Sequence, residues 1–202
     1  MEEKEFKERL IKNSKEIGVQ IDEECAEKLY KYKNLVVEWN DKINLTAITA
    51  DNEFIIKHLV DSLTVSKYIN KNKTIIDIGT GAGFPGIPLK IVHKENEVVL
   101  FDSLNKRLKV LDDIIEKINI AKVSTLHGRA EETFKNKEYR EKYDIAVSRA
   151  VASLNVLVEL MLPAVKKGGI CICMKGNNAD IEVEEAKKAI SEMGGEIIKI
   201  EK

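Results

Sequence analysis

The stretch with the densest chemical content is Ile75-Ile76-Asp77-Ile78-Gly79-Thr80-Gly81-Ala82-Gly83-Phe84-Pro85-Gly86. A short apolar run leads into four glycines, and a helix-forming segment follows. Glycine lets the backbone turn with positive φ and lets a ligand approach the chain closely. Pro88 suits the first turn of the following helix, where a missing N–H is no loss. A loop after the first strand of an open α/β sheet lies at the carboxyl end, where such sheets bind ligands. Asp77 sets the charge there. A carboxylate beside the loop suits a cationic amino group and would repel a pyrophosphate. Asp102, at the end of the next apolar run, is placed to hold ribose hydroxyls.

Two cofactors compete for such a loop. Gly81 to Gly86 spells G-x-G-x-x-G, a dinucleotide pattern that is weak by itself. The longer Asp-x-Gly-x-Gly-x-Gly, from Asp77 to Gly83, resembles the signature of class I methyltransferases. Asp102 serves NAD and S-adenosyl-L-methionine equally well, whereas Asp77 favours the second, whose amino group is cationic. An isolated glycine would signify a tight turn and nothing more. Four of them after a strand, with acids at Asp77 and Asp102, signify a cofactor cradle.

The elements that must position this loop follow from apolar spacing. Before residue 73 the pattern is helical. Cys25, Leu29, Tyr32, Val36, Trp39 and Ile43 recur in steps of four and three, which keeps them on one helix face. Asp22, Glu23 and Glu24 put negative charge at that helix's start, where its dipole favours it. A shorter helix precedes it, with Phe6, Leu10 and Ile17 expected inward and Gly18 as its stop. A third begins after Asp51 and carries Ile55, Leu59 and Leu63. From Lys73 onward, short apolar runs alternate with helical stretches. The runs are Ile75 to Ile78, Val98 to Phe101, Val123 to Leu126, Ile145 to Val147, Ile170 to Met174 and a last one, Glu196 to Ile200. Leu104, Leu108, Leu111, Ile115 and Ile118 mark the helix after the second run. This is the pattern of a doubly wound, mostly parallel, Rossmann-like α/β sheet covered on both faces. Residues 1–72 are expected to form a helical extension packed on a main domain at 73–202.

The loop and five other stretches resemble one family, the small-subunit rRNA methyltransferase G family, also called glucose-inhibited division protein B. Asp77 through Leu89 is similar to its first motif, and Gly128-Arg129-Ala130-Glu131 and Ser148-Arg149-Ala150 to two later ones. Trp39-Asn40, Asn44-Leu45-Thr46 and His58-Leu59-Val60-Asp61-Ser62-Leu63 resemble its N-terminal pattern. The resemblance runs from about Trp39 to about Gly176. It implies a class I S-adenosylmethionine-dependent fold and methylation of N7 of one guanine in 16S rRNA of the small ribosomal subunit. It also implies cofactor contacts at Gly79, Phe84, Ala130, Glu131 and Arg149, to which the residues themselves add Asp77, Gly81 and Asp102. A sheet of this class usually ends in an antiparallel hairpin. The sequence stops at Lys202, after its sixth apolar run, so the final antiparallel strand is expected to be absent, by shortening or by an unusual end.

Guanine N7 has a free lone pair and no proton, so its methylation needs alignment and exclusion of water rather than a general base. No obligatory catalytic residue is expected, with Arg149 a candidate for positioning. The absence of an Asn-Pro-Pro-Tyr-like motif argues against exocyclic-amine methylation, and the lack of a Pro-Cys or Thr-Cys pair against carbon-5 pyrimidine methylation. His58, Asp61 and Ser62 spell a hydrolase triad, but they share one helix face and no Gly-x-Ser-x-Gly elbow exists. They are either a hydrogen-bonded cap of the N-terminal helices or an RNA contact. RNA is expected between those helices and the carboxyl edge of the sheet, with Asn40, Asn44, Lys57 and His58 as candidate contacts to phosphates or a splayed-out base.

Bulk properties set the outer limits. The formal net charge of -1, from 33% charged residues, argues against a strongly basic, non-specific nucleic-acid binder. The three cysteines, Cys25, Cys171 and Cys173, lack framework spacing and suit a reducing compartment. No run of ~18 apolar residues marks a membrane span. His93 and His127 lack partners at metal-ligand spacing, so no metal is expected. Lys106, Arg107 and Lys109 suit a solvated helix face. The expected protein is cytoplasmic and monomeric. The alternatives are a non-catalytic ribosome-assembly factor, for which a degraded loop would be expected, and a nucleotide-dependent oxidoreductase.

Overall fold

Five apolar runs pair into one parallel sheet in the computed structural model, which describes residues 1–149 and 151–201. The strands are β1 (Thr74–Ile78), β2 (Glu97–Asp102), β3 (Val123–His127), β4 (Tyr143–Arg149) and β5 (Val165–Met174), in the order β3-β2-β1-β4-β5. The chain winds outward from β1 to β3 and then returns to β4, so the direction of winding reverses between β1 and β4. That switch point is where an open α/β sheet leaves a crevice at its carboxyl ends. Ala150, the last residue of one family-like motif, and Lys202 lie outside the described residues.

Strand residues alternate between two buried layers because successive side chains point to opposite faces. Ile75, Val98, Leu100, Ile145 and Val147 pack on one face with α5 (Gly86–Val92) and α6 (Asn105–Ile118). Ile76, Ile78, Phe101 and Ala146 pack on the other, under α7 (Ala130–Thr133) and α8 (Leu154–Met161). The helix α9 (Ala179–Glu192) closes a smaller cluster against α8 through Val183, Ala186 and Ile190.

The N-terminal helices belong to the first layer. In α1 (Glu3–Glu16), Phe6 and Leu10 are buried, and in α2 (Glu23–Asn40) so are Leu29, Tyr32 and Val36. All five lie in the same cluster as β1, β2 and β4. The carboxylate of Asp22 caps α2 by accepting from the Cys25 N–H at 2.7 Å. Trp39 ties its far end to α6 by donating Nε1–H to Asp113 at 2.8 Å. Ile17, expected inward, is exposed, because α1 stops at Glu16 and Gly18 turns the chain with φ 78°. Leu104 likewise lies outside its helix, at the residue before α6.

The third helix is not regular. α-Helical turns at α3 (Asp51–Phe54) and α4 (Asp61–Leu63) flank a π-helical segment, Ile55–Val60, and a 3-10 turn, Thr64–Tyr68, ends the run. The widened turn carries Lys57 and His58, and such bulges are frequent at functional sites. The expected strand at Glu196 to Ile200 does not form: 195–201 has no regular structure, and Ile198 is 76% exposed. A strand exists through its ladder partner, and among the described residues no strand pairs with this segment, which is tied to the fold instead by the ion pair of Glu201 with Lys67. The five strands of the sheet are all parallel, with no antiparallel strand among the described residues.

Candidate active site

The glycine loop is held from below by Asp77. This side chain is completely buried, and its Oδ2 accepts from the Thr80 hydroxyl at 2.7 Å and the Gly86 N–H at 2.8 Å. Burial pushes the Asp77 carboxyl up to about 6, although Thr80, Gly86 and the charge of Arg149 pull it down. The other oxygen, Oδ1, is buried without a hydrogen-bond partner among the described residues. An orphaned carboxylate oxygen in a dry place calls for a donor or a cation.

Above Asp77 the backbone follows β2. The N–H groups of Gly79 and Thr80 both donate to the Phe101 carbonyl, at 2.8 and 3.0 Å. Gly81 donates to Oδ2 of Asp102 at 2.9 Å, and Leu104 donates to its Oδ1 at 2.8 Å. Each Asp102 oxygen thus keeps acceptor capacity for a hydroxyl. Glycine is required at Gly83, where φ is 101° and a Cβ would stand 2.7 Å from Ile87 Cδ1 and 2.9 Å from the Tyr32 hydroxyl. Over Gly81 the space is open, since a Cβ there would meet only the Gly79 carbonyl oxygen, at 4.0 Å.

An aromatic and cationic cluster closes the β4 side. Phe84 meets Tyr32 and Phe54 edge-on and stacks on His58, with ring centroids 4.4 Å apart and planes at 19°. The Arg149 guanidinium lies over the Phe84 ring at 4.9 Å. Arg149 donates to Asp61 Oδ2 at 2.7 Å, to the Lys57 carbonyl at 3.1 Å and to Nδ1 of His58 at 3.2 Å. Burial and the adjacent Arg149 hold His58 down to about 4, so it is a neutral imidazole at neutral pH. Two hydroxyls complete the frame: Tyr32 donates to the Ala82 carbonyl and Ser148 to the Ile78 carbonyl, each at 2.7 Å.

Asp77, Gly79, Gly81, Phe84, Asp102 and Arg149 therefore converge on one end of the sheet. Ala130, buried, and Glu131, exposed, open α7 after β3, and the Gly128 N–H donates to the Asp102 carbonyl at 3.3 Å. The four residues considered for RNA contact differ in exposure. Asn44 is exposed, and Lys57 is exposed and ion-paired with Glu53. Asn40 is half-buried, its Oδ1 accepting from the Leu45 and Thr46 N–H groups, and His58 is buried. Ser62 returns its hydroxyl to the His58 carbonyl, so the three triad letters build local structure around Arg149.

The hydroxyls of Tyr32, Thr46 and Ser148 escaped the sequence reading as site components. For Tyr32 the signal was present, a polar tip on an otherwise apolar helix face. Among the described residues there is no cluster of three or more His, Cys, Asp or Glu that could hold a metal ion, and no helix long and apolar enough to cross a membrane.

The arrangement fits S-adenosylmethionine: an orphaned buried carboxylate oxygen for its ammonium, open space over the loop and a second acid with free acceptor positions. Solved structures share the fold at low identity. A ribosomal protein L11 methylase from Lactobacillus delbrueckii subsp. bulgaricus aligns with a TM-score of 0.56 and 16% identity, over 72% of this chain and 73% of that one. A SAM dependent methyltransferase from Aquifex aeolicus aligns with a TM-score of 0.53 and 16% identity, over 73% and 87%. In sequence the likeness is much closer. The ribosomal RNA small subunit methyltransferase G of Acetivibrio thermocellus is 52% identical over 200 residues, 98% of this chain and 82% of that protein. Its counterpart in Clostridium novyi is 50% identical with the same coverage. The family model described as rRNA small subunit methyltransferase G matches residues 25–202, and the chain belongs to that family.

Proposed function

We propose that this protein transfers a methyl group from S-adenosylmethionine to N7 of one guanine in 16S rRNA, acting on the rRNA or the small-subunit particle as a cytoplasmic monomer. The observation that carries the cofactor half is the orphaned Oδ1 of Asp77 beneath an intact glycine loop. Family membership carries the RNA half. When bound, the cofactor supplies an electrophilic methyl on a sulfonium. Asp77 and the loop glycines would hold its amino-acid end, Asp102 its ribose, and Ala130 and Glu131 its base. Phe84, with His58 stacked on it and the Arg149 guanidinium over its ring, walls the β4 side and excludes water. Arg149 is oriented by Asp61 and the Lys57 carbonyl, which makes it a positioning group beside the acceptor. No residue need remove a proton, because N7 carries none.

In this reading residues 1–72 and 73–202 divide the labour. The second part cradles the cofactor, and the first contributes Tyr32, Thr46, His58 and Asp61 to the wall that the RNA base meets. The test is labelled methyl transfer to small-subunit RNA and particles from cells lacking this activity, with the modified base mapped. Incorporation at a guanine N7 is expected. A protein that binds S-adenosylmethionine by calorimetry yet transfers nothing would favour a non-catalytic assembly role, and binding of NAD alone would overturn the cofactor assignment.

A further inference from the structure

The polarity of one hydrogen-bond chain is fixed by a residue that can only donate. A guanidinium has no acceptor, so where Arg149 meets Nδ1 of His58 at 3.2 Å, that nitrogen must carry the lone pair. In a neutral imidazole the proton then sits on Nε2. Nε2 lies 2.7 Å from the Thr46 hydroxyl oxygen, and so donates to it. The Ile48 N–H donates to the same oxygen at 3.0 Å. A hydroxyl has two acceptor positions and one hydrogen. Both acceptor positions of Thr46 are filled, and its hydrogen has no acceptor among the described residues.

This hydrogen is held in place rather than free to wander. Asn40 fixes the Thr46 backbone by accepting its N–H at 2.9 Å, and the buried His58 ring is clamped against Phe84. Thr46 itself is half-buried, at the rim of the wall that Phe84 and Arg149 form over the carboxyl end of β4. The rim therefore presents a hydrogen-bond donor that cannot reverse its sense, because reversal would set two donors against each other at His58.

A donor of fixed sense beside the acceptor position reads a base. In guanine the atom next to N7 on the same edge is O6, an acceptor; in adenine it is N6, a donor. We infer that Thr46 is a specificity-determining residue whose hydroxyl hydrogen donates to O6 of the target guanine. The inference rests on the proposed guanine-N7 reaction. His58 acts through Thr46 as a positioning residue that keeps the hydroxyl facing the base.

The experiment compares two RNAs that differ at the mapped target: the natural guanine, and 2-aminopurine, which keeps N7 but lacks O6. With the unaltered protein, kcat/KM for guanine is expected to exceed that for 2-aminopurine by about three- to tenfold, the usual worth of one neutral hydrogen bond. Thr46→Val, of the same shape without the hydroxyl, should bring the ratio close to one, and Thr46→Ser should restore it. Calorimetry should find the affinity of the Val variant for S-adenosylhomocysteine within about twofold of the parent, too small a change to carry the loss. A Val variant that loses activity equally on both RNAs, leaving the ratio unchanged, overturns the inference and makes Thr46 a structural residue. Methylation by the unaltered protein at an atom other than guanine N7 overturns the reaction on which it rests, and that arm is read first.

Discussion

The two flanks of the glycine loop are built in different ways. Toward β4, the wall is assembled from residues remote in sequence: Tyr32 reaches Ala82, and Arg149 reaches the Lys57 carbonyl 92 positions away. Phe84, His58, Tyr32 and Phe54 are all buried there. Toward β3, the residues come from the ends of adjacent strands. Asp102 is fastened by the N–H groups of Gly81 and Leu104, and Glu131 stands exposed at the start of a short helix. The tied flank is dry and preorganised, which suits the place where nucleophile and methyl must align. The open flank suits the entry of a nucleoside, whose hydroxyls can find acceptors without displacing a core.

Breaking the tied flank should have the largest effect. Gly83→Ala forces a side chain into a positive-φ position against Ile87 and Tyr32. We expect a loss of about 3 kcal/mol or more in urea unfolding. A loss below ~1 kcal/mol would mean that this flank relaxes as easily as the open one.

The next effect is one of pH. The ordinary histidine value is 6.5, and His58 in the folded protein is held near 4. As pH falls below 6.5 the unfolded chain takes up this proton first, so the stability present at neutral pH is lost progressively toward pH 4. Between about pH 7 and about pH 5 the His58 share of the change should be a loss on the order of 2 kcal/mol. It is opposed by Asp77, whose carboxyl, raised to about 6, takes up its proton first in the folded protein. His58→Gln, which cannot titrate, should remove the His58 share, so that stability rises rather than falls as the pH drops through this window. An unchanged slope would show that His58 is not the group responsible.

Tyr32→Phe removes a single buried donor and leaves the Ala82 carbonyl unpaired, so a loss of about 1–2 kcal/mol is expected in the same unfolding assay. The smallest effect belongs to the open flank. Glu131→Ala should change stability by no more than about 0.5 kcal/mol, while calorimetry should register weaker S-adenosylmethionine binding. A destabilisation as large as that of Tyr32→Phe would erase the contrast between the flanks.

Much of the frame could be read directly because it is written in local patterns. The five parallel strands coincide with five of the apolar runs, and the loop after β1 with the glycines. Gly18 stops α1 where expected, yet Ile17 before it points outward, since a helix face ends with the helix. The run Glu196 to Ile200 has the composition of a strand but no neighbour to pair with among the described residues, and pairing is not a property of one segment. The π-helical turn at Ile55–Val60 left no mark in apolar spacing, because Ile55 and Leu59 are inward in either kind of helix.

By itself, then, the sequence determined the wound sheet, the cofactor loop with Asp77 and Asp102, and the family. These depend on periodicity and on residues within a few positions of one another. Only the tertiary structure decided that Asp77 spends one oxygen on the loop and leaves the other unpaired, and that His58 faces Phe84 and Arg149 rather than solvent. It alone gave the Thr46 hydroxyl its direction. Such assignments rest on which donors meet which acceptors across distances of dozens of residues, and hydrogen-bond partners of that kind are fixed only once packing has brought the segments together.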